Sequence, residues 1–118
     1  MNKISFFIPC LNEEKNILLT LKTLLKVIDI YKLDSEIIIV DDASTDNTSI
    51  YVDDFIKNNQ KYNIILIKNK INKGLGTNYI DIAFKASGKY YMLINGDNAE
   101  TEESIINIIK NIGLADII

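Results

Sequence analysis

The sequence predicts an α/β fold: a three-layer α/β/α arrangement with a mostly parallel, Rossmann-like sheet. Three observations carry this. Short β-branched runs recur along the chain without polar interruption. Each is followed by a stretch whose apolar residues repeat at helical spacing. Each ends in polar, turn-forming residues. Strands that are apolar on both sides need cover on both faces, which is the habit of parallel sheets alternating with helices.

The elements follow in order. "ISFFIP" (4–9) reads as a buried first strand. The run meets Glu13 and Glu14 directly, with no small-residue cleavage site between, which favours a strand over a signal peptide. Ile17, Leu18, Leu21, Leu24, Leu25 and Ile28 then mark one face of a helix. Asn12 is its expected cap, with Glu13 and Glu14 in the first turn. "EIIIVDD" (36–42) is the second strand, too short for a buried helix. "STDNTS" (44–49) supplies capping chemistry, Asp46 above all. Tyr51, Val52, Phe55 and Ile56 form the face of a second helix. "NIILIK" (63–68) is the third strand. After the loop "NKINKGLG", Leu75, Tyr79, Ile82 and Ala86 mark a third helix closed by Gly88 in a C′ role. "KYYMLI" (89–94) is the fourth strand, with Tyr90 and Tyr91 packing on it. Thr101 caps a fourth helix that turns Ile105, Ile108, Ile109 and Ile112 inward and ends at Gly113. "ADII" (115–118) reads as a fifth strand just beginning, so the chain is expected to be the N-terminal part of something larger.

Composition narrows the chemistry. The 118 residues suit one domain, and 47% hydrophobic residues can build a core. The net charge is −3, and all 13 basic residues are lysines with no basic stripe, which argues against a nucleic-acid surface. There is no histidine, so a Ser-His-Asp triad, His-ligated zinc and imidazole acid–base chemistry are excluded. The single Cys10 excludes an intrachain disulfide and suits a reducing, cytoplasmic compartment. It is expected as a small buried side chain. Metal chemistry would have to use oxygen ligands, which favours Mg²⁺ or Mn²⁺. No apolar segment reaches the length of a membrane span.

In an open α/β sheet, ligands bind beyond the carboxyl ends of the strands, near the point where strand order reverses. The candidate strand ends are "PCLNEE", "VDDAS", the loop with "NKG", and "NGDNAE". Asp41 and Asp42 read either as a turn before a helix or as acceptors for a nucleobase N–H or a metal-bound water. In "NGDN", Gly96 permits a sharp turn or a close approach. Asp97 can ligate a divalent cation that also holds a diphosphate; an Asn-Gly hairpin turn is the competing reading. Lys73 suits a phosphate or base contact, or is simply solvated. Asn78 braces the loop or starts the helix. Glu13 either complements a helix dipole or meets a ribose or base.

Taken together, "IPCLNEE", "EIIIVDDASTDNT", "NKGLGTN" and "ASGKYYMLINGDN" resemble, in order and spacing, the family 2 glycosyltransferases of the GT-A fold. The resemblance covers nearly the whole chain. It implies that residues 1–118 are the nucleotide-sugar-binding part of such a domain, without the acceptor-binding part. Carried over by position, Pro9, Leu11 and Glu13 line the nucleoside pocket, and Asp41 and Asp42 are the acidic pair, one of which contacts the base. Lys73 and Gly74 form the loop near the nucleotide, while Asn95, Gly96 and Asp97 occupy the D-x-D position, whose last Asp holds the metal and diphosphate. Asn95 replaces the first Asp of that motif and brings no charge. The implied reaction is inverting transfer from a UDP- or GDP-linked sugar to an acceptor the sequence does not identify. The catalytic base of the family lies downstream, so none is assigned, and the chain alone is expected to have little or no transferase activity. Two other readings compete. A receiver-like signalling domain wants its acid pair after the first strand, not the second. A catalytically inactive nucleotide-binding or interaction fragment fits the loss of charge at Asn95. An unfinished strand edge allows a homodimer, and segments beyond the chain allow attachment to the inner face of a membrane.

Overall fold

The structure, a computed structural model, describes residues 3–97 and 102–111. The element order is β1 (Ile4–Cys10), α1 (Ile17–Tyr31), β2 (Ser35–Asp41), α2 (Thr48–Lys57), β3 (Ile64–Lys68), α3 (Leu75–Lys85), β4 (Tyr90–Leu93) and α4 (Glu102–Ile109). The four strands form one parallel sheet in the order β3-β2-β1-β4. Each strand lies within one or two residues of its expected limits. The expected Thr101 cap, Ile112, Gly113 and the strand at 115–118 lie outside the described residues.

The alternation of side chains along β1 divides the core. Ile4, Phe6, Ile8 and Cys10 join the larger cluster with Ile17, Leu21 and Leu24 of α1, Val52 and Phe55 of α2, and Ile105 and Ile109 of α4. Phe7, one residue out of phase, faces the other way and packs with Ile38, Val40 and Ile82 of α3. Among the described residues, three helices therefore cover one face and α3 the other. On the α1 stripe Leu21 and Leu24 are fully buried. Burying each such side chain stabilises the fold by about 1.5–3 kcal/mol.

Five sequence expectations need correction. Asn12 does not cap α1. It takes a left-handed backbone conformation (φ 54°) and turns its side chain to the β2–α2 loop. The helix starts at Ile17, with Asn16 at its N-cap and no acidic residue in its first turn. The carbonyl of Glu13 accepts the amides of Asn16 and Ile17, so Glu13 and Glu14 form the turn that leads in. On α3, only Ile82 and the polar Asn78 are buried; Leu75 and Tyr79 are 50% and 42% exposed. A helix lying alone on a sheet face is covered on one narrow stripe only. Tyr51 and Ile108 are likewise more exposed than their positions in the pattern predict.

Gly88 is not a helix cap either, since α3 ends at Lys85 with extended Ala86 at its C-cap. Its role is close approach at the start of β4. Gly88 N–H donates to Ser5 Oγ at 2.8 Å, and a Cβ there would sit 2.6 Å from both Ser5 N and Ser5 Oγ. The Ser5 hydroxyl in turn donates to Glu36, whose carboxylate also accepts the Ser87 N–H at 2.7 Å. Burial pushes the Glu36 carboxyl up, and the bonds from Ser5 and Ser87 outweigh it and hold the group below its ordinary value. This lock joins β1, β2 and β4 at the end opposite the polar strand ends. Among the described residues, no helix is long and apolar enough to cross a membrane. Gly88→Ala is expected to destabilise the protein by about 2–3 kcal/mol through overpacking against backbone. The check is a lower urea midpoint with an unchanged denaturant slope.

Candidate functional site

The strand order creates the site. The chain runs outward from β1 to β2 to β3, then returns to the other side of β1 as β4. The connections after β1 and after β3 therefore part to opposite faces, and a crevice opens beyond the carboxyl ends. It holds a cavity of about 260 Å³. Pro9, Leu11 and Glu13 line it from the end of β1, and Asn95, Gly96 and Asp97 from the end of β4. Asp42 and Gly74 complete the predicted residues that meet there. A larger groove of about 660 Å³ is lined by α1, α2 and the residues just after α2, and by none of the strand ends.

Two predicted residues stand apart. Asp41 is buried, and its Oδ1 accepts the Ser44 N–H at 3.0 Å, which closes the turn after β2. It does not line the cavity. Lys73 contributes its backbone only, because its side chain is exposed and outside the lining. Four lining residues were not predicted: Cys10, Asn72, Leu75 and Asn78. Cys10 is the small buried side chain the sequence suggests. Its thiol donates to the Val40 carbonyl, and burial, then Asp41, push it well above the ordinary thiol range. No sequence signal separates Asn72 or Leu75 from the rest of the loop.

Asp42 organises the β3–α3 loop. It is 6% exposed. Its Oδ1 accepts the Lys73 N–H at 2.8 Å and the Asn69 side-chain amide at 2.9 Å, and its Oδ2 accepts the Gly74 N–H at 2.9 Å. Burial pushes the carboxyl up. The bonds from Lys73, Asn69, Gly74 and Asn78 outweigh burial and hold it below the usual carboxylate range. Gly74 (φ 84°, ψ 157°) occupies a region that essentially only glycine enters, and no side chain caps the helix it begins.

The β1–α1 and β2–α2 loops are laced together in the same way. Asn12 Oδ1 accepts the N–H groups of Thr45 at 2.8 Å and Asp46 at 3.3 Å, and Asn12 N–H donates to Ser44 Oγ at 2.8 Å. Glu13 N–H donates to Thr48 Oγ1 at 2.9 Å. Asp46 accepts from Thr48 N–H, Thr48 hydroxyl and Glu14 N–H. Burial raises its carboxyl, and those bonds more than offset it. The predicted capping role of Asp46 holds, one residue ahead of the assigned N-cap Asn47. At the other wall, Ile94 N–H donates to the Phe7 carbonyl at 2.9 Å and carries β4 on toward Asn95. A Cβ on Gly96 would lie 3.0 Å from the Pro9 carbonyl oxygen, so the β4 end is pressed against the β1 end.

Asn78 is the unexpected member. It is 3% exposed, and its Oδ1 accepts the Asn69 amide at 2.9 Å, which is the predicted brace. Its Nδ2 is buried beside the Asp42 carboxylate, whose charge it helps to hold. The charge of the lining is one-sided: Glu13, Asp42 and Asp97 lie in it and no lysine does. Among the described residues there is no cluster of three or more His, Cys, Asp or Glu that holds a metal by itself. Asp97 and Asn95 offer oxygen donors only, and a cation there would need further oxygens from a ligand or water.

Asp42 makes the loop pH-dependent in a defined sense. A carboxyl held below its ordinary value of 3.8 stabilises the fold fully above that pH and loses this as pH falls through its lower folded value. The Lys73 and Gly74 amide protons are expected to titrate with a midpoint below 3.8, read by NMR. Asp42→Asn leaves at least one of its donors without an acceptor and is expected to cost about 1–3 kcal/mol in denaturant unfolding.

Comparison with known proteins converges on one family. The model of glycosyl transferase family 2 matches residues 5–115. An uncharacterized protein of Methanocaldococcus jannaschii, MJ0544, is 38% identical over 111 residues, covering 89% of this chain and 44% of that protein. The abequosyltransferase RfbV of Salmonella typhimurium is 34% identical over 105 residues, covering 86% of this chain and 30% of RfbV. The chain thus spans less than half the length of these relatives. Among solved structures, residues 1–349 of S. aureus TarS superpose with a TM-score of 0.74 at 27% identity, over 93% of this chain and 32% of that one. The same part of TarS has been crystallised with UDP-GlcNAc and with UDP. With a parallel sheet of GT-A type and a family match over nearly its whole length, this chain belongs to glycosyl transferase family 2.

Proposed function

We propose that this chain is the donor-binding part of a glycosyltransferase that uses a UDP- or GDP-linked sugar, seated in the cavity beyond β1 and β4. One observation carries the reading: Pro9, Leu11, Glu13, Asp42, Gly74, Asn95, Gly96 and Asp97 come from four separate loops and line one cavity at the topological switch point. The UDP-GlcNAc complex of TarS, a protein 26% identical to this chain, adds support for the ligand class.

The lining also bears on the cofactor. A diphosphate brings at least two negative charges to a wall that already holds Glu13, Asp42 and Asp97. At an effective dielectric near 20, two like charges about 4 Å apart repel by about 4 kcal/mol. Lys73 does not offset this, because its side chain lies outside the cavity. A divalent cation held by Asp97, with Asn95 as a weak neutral ligand, meets the need, and oxygen donors suit Mg²⁺ or Mn²⁺. Such a cation would neutralise charge gathering on the departing diphosphate.

The reaction proposed is inverting transfer. The acceptor oxygen forms a bond to the anomeric carbon as the bond from that carbon to the diphosphate oxygen breaks. The electron pair leaves with the diphosphate, and the hydroxyl proton passes to a base for which no residue is assigned here. Within this scheme the β1 and β3–α3 loops hold the nucleoside, and the β4 end fixes the diphosphate before the bond breaks. Asn95 is the feature that favours an inactive nucleotide-binding fragment, and metal dependence separates the two. Isothermal titration with UDP and GDP, each with and without Mn²⁺, is expected to show metal-dependent binding. Asp97→Ala is expected to weaken it about tenfold or more, equivalent to about 1.4 kcal/mol. Failure of both nucleotides to bind folded protein would overturn the proposal; binding indifferent to Mn²⁺ and to Asp97→Ala would leave the inactive fragment.

A further inference from the structure

The outer side of α3 breaks the ordinary rule for a surface helix. Asn78 and Ile82 are its buried residues and mark the line that faces the sheet. Ile80 lies two residues from each, half a turn away, and Phe84 lies one turn beyond Ile80, so both point away from the sheet. Phe84 is 88% exposed and Ile80 57%. Gly76, Thr77 and Ala83 share this side and are exposed as well. A surface helix normally sets charged and polar side chains opposite its buried stripe. Here the strip formed by Gly76, Thr77, Ile80, Ala83 and Phe84 holds no charge, and Asp81 stands at its margin. Ile71, in the loop before the helix, is a further exposed apolar side chain. Exposed apolar surface grouped in this way marks a contact site.

Charge decides what this face takes. Residues 69–90 carry four lysines, Lys70, Lys73, Lys85 and Lys89, against one acid, Asp81, in a chain whose net charge is −3. The lysines stand near the two ends of α3 and are exposed, and among the described residues none of them is in an ion pair. The helices of the other layer lack this bias. On α2 the exposed Ile50 has Asp53 and Asp54 three and four residues on, as its neighbours on the helix surface. The α3 face is also a ridge and not a groove, since Ile80 and Phe84 line neither cavity described above. A bilayer asks for no complementary shape. Apolar side chains enter the boundary between headgroups and acyl chains, and lysines beside them are drawn to anionic headgroups. With 11 residues α3 is too short to span a bilayer and would lie along its surface. We propose that the outer face of α3 is a contact surface for an anionic membrane, with Ile80 and Phe84 entering the acyl boundary and Lys70, Lys73, Lys85 and Lys89 meeting the headgroups. This surface stands or falls independently of the donor site.

The chain has no tryptophan, so Phe84→Trp places a single fluorophore on this face. Its emission is expected to shift to the blue with vesicles of phosphatidylcholine and phosphatidylserine in equal parts, and to stay in place with phosphatidylcholine alone. Ile50→Trp, on the other layer, is expected to shift with neither. In co-sedimentation of the otherwise unchanged chain with the anionic vesicles, Phe84→Gln is expected to weaken partitioning about tenfold or more. Lys85→Gln combined with Lys89→Gln is expected to weaken it about tenfold, and high salt to do the same. No shift in the Phe84→Trp protein, an equal shift with neutral vesicles, or unchanged sedimentation of Phe84→Gln overturns the proposal. A dimer of the chain in solution that Phe84→Gln dissolves, without vesicle binding, assigns the face to a second copy and overturns it as well. Should the glutamine variants fail to fold, the comparison of Phe84→Trp with Ile50→Trp decides alone.

Discussion

The Asp42 carboxylate is the interaction on which the site depends. It sits at the end of β2, buried, and takes two backbone N–H groups and one side-chain amide from the β3–α3 loop. Charge-assisted bonds of this kind are among the stronger ones a side chain makes. They bend residues 69–74 back over the sheet edge, let Gly74 take a conformation closed to other residues, and aim the uncapped start of α3 at the cavity. Asn69 and Asn78 gain their positions from the same carboxylate. One acidic residue thus converts a polar loop into a wall.

The rest of the edge is built by reciprocity between loops. The turn after β1 and the turn after β2 satisfy each other through Asn12, Ser44, Asp46 and Thr48. Buried or half-buried backbone N–H groups must find acceptors, and here they find them across a gap of some thirty residues in sequence. At the far edge of the sheet, the Ser5–Glu36–Ser87 lock fixes the starts of β1, β2 and β4. Pinned at both ends, the three strands hold the carboxyl edge in register.

The arrangement leaves an electrostatic asymmetry. Of the acidic groups at the edge, Asp41 and Asp46 are consumed by the fold, Glu13 and Asp97 line the cavity, and Asp42 does both. Lysines remain outside. A site of this polarity is suited to a neutral base and to a phosphate group accompanied by its own cation, and unsuited to a bare anion.

Much of this was legible in the residues themselves. The apolar runs of β1 and β2 admit no other element, and the α1 stripe of Leu21, Leu24 and Ile28 sets its buried face, because periodicity reports burial directly. The polar strand ends also marked which edge would carry chemistry, since a parallel sheet places all its carboxyl ends together. The division of labour within that edge was not legible. Asn12 and Gly88 look like caps because caps are recognised by local pattern, whereas their bonds run to residues far away in the chain. Asp41 and Asp42 are adjacent and chemically identical. Only the alternation of a strand and the approach of the β3–α3 loop make one a turn brace and the other a wall of the cavity. Asn78, a brace by sequence, is brought beside the Asp42 carboxylate by the same approach. Sequence by itself determined the elements, their order and the acidic edge, because these rest on short-range periodicity. Tertiary structure decided which side chains the fold consumes and which it leaves for a ligand, because hydrogen-bond partners are assigned only when distant loops meet.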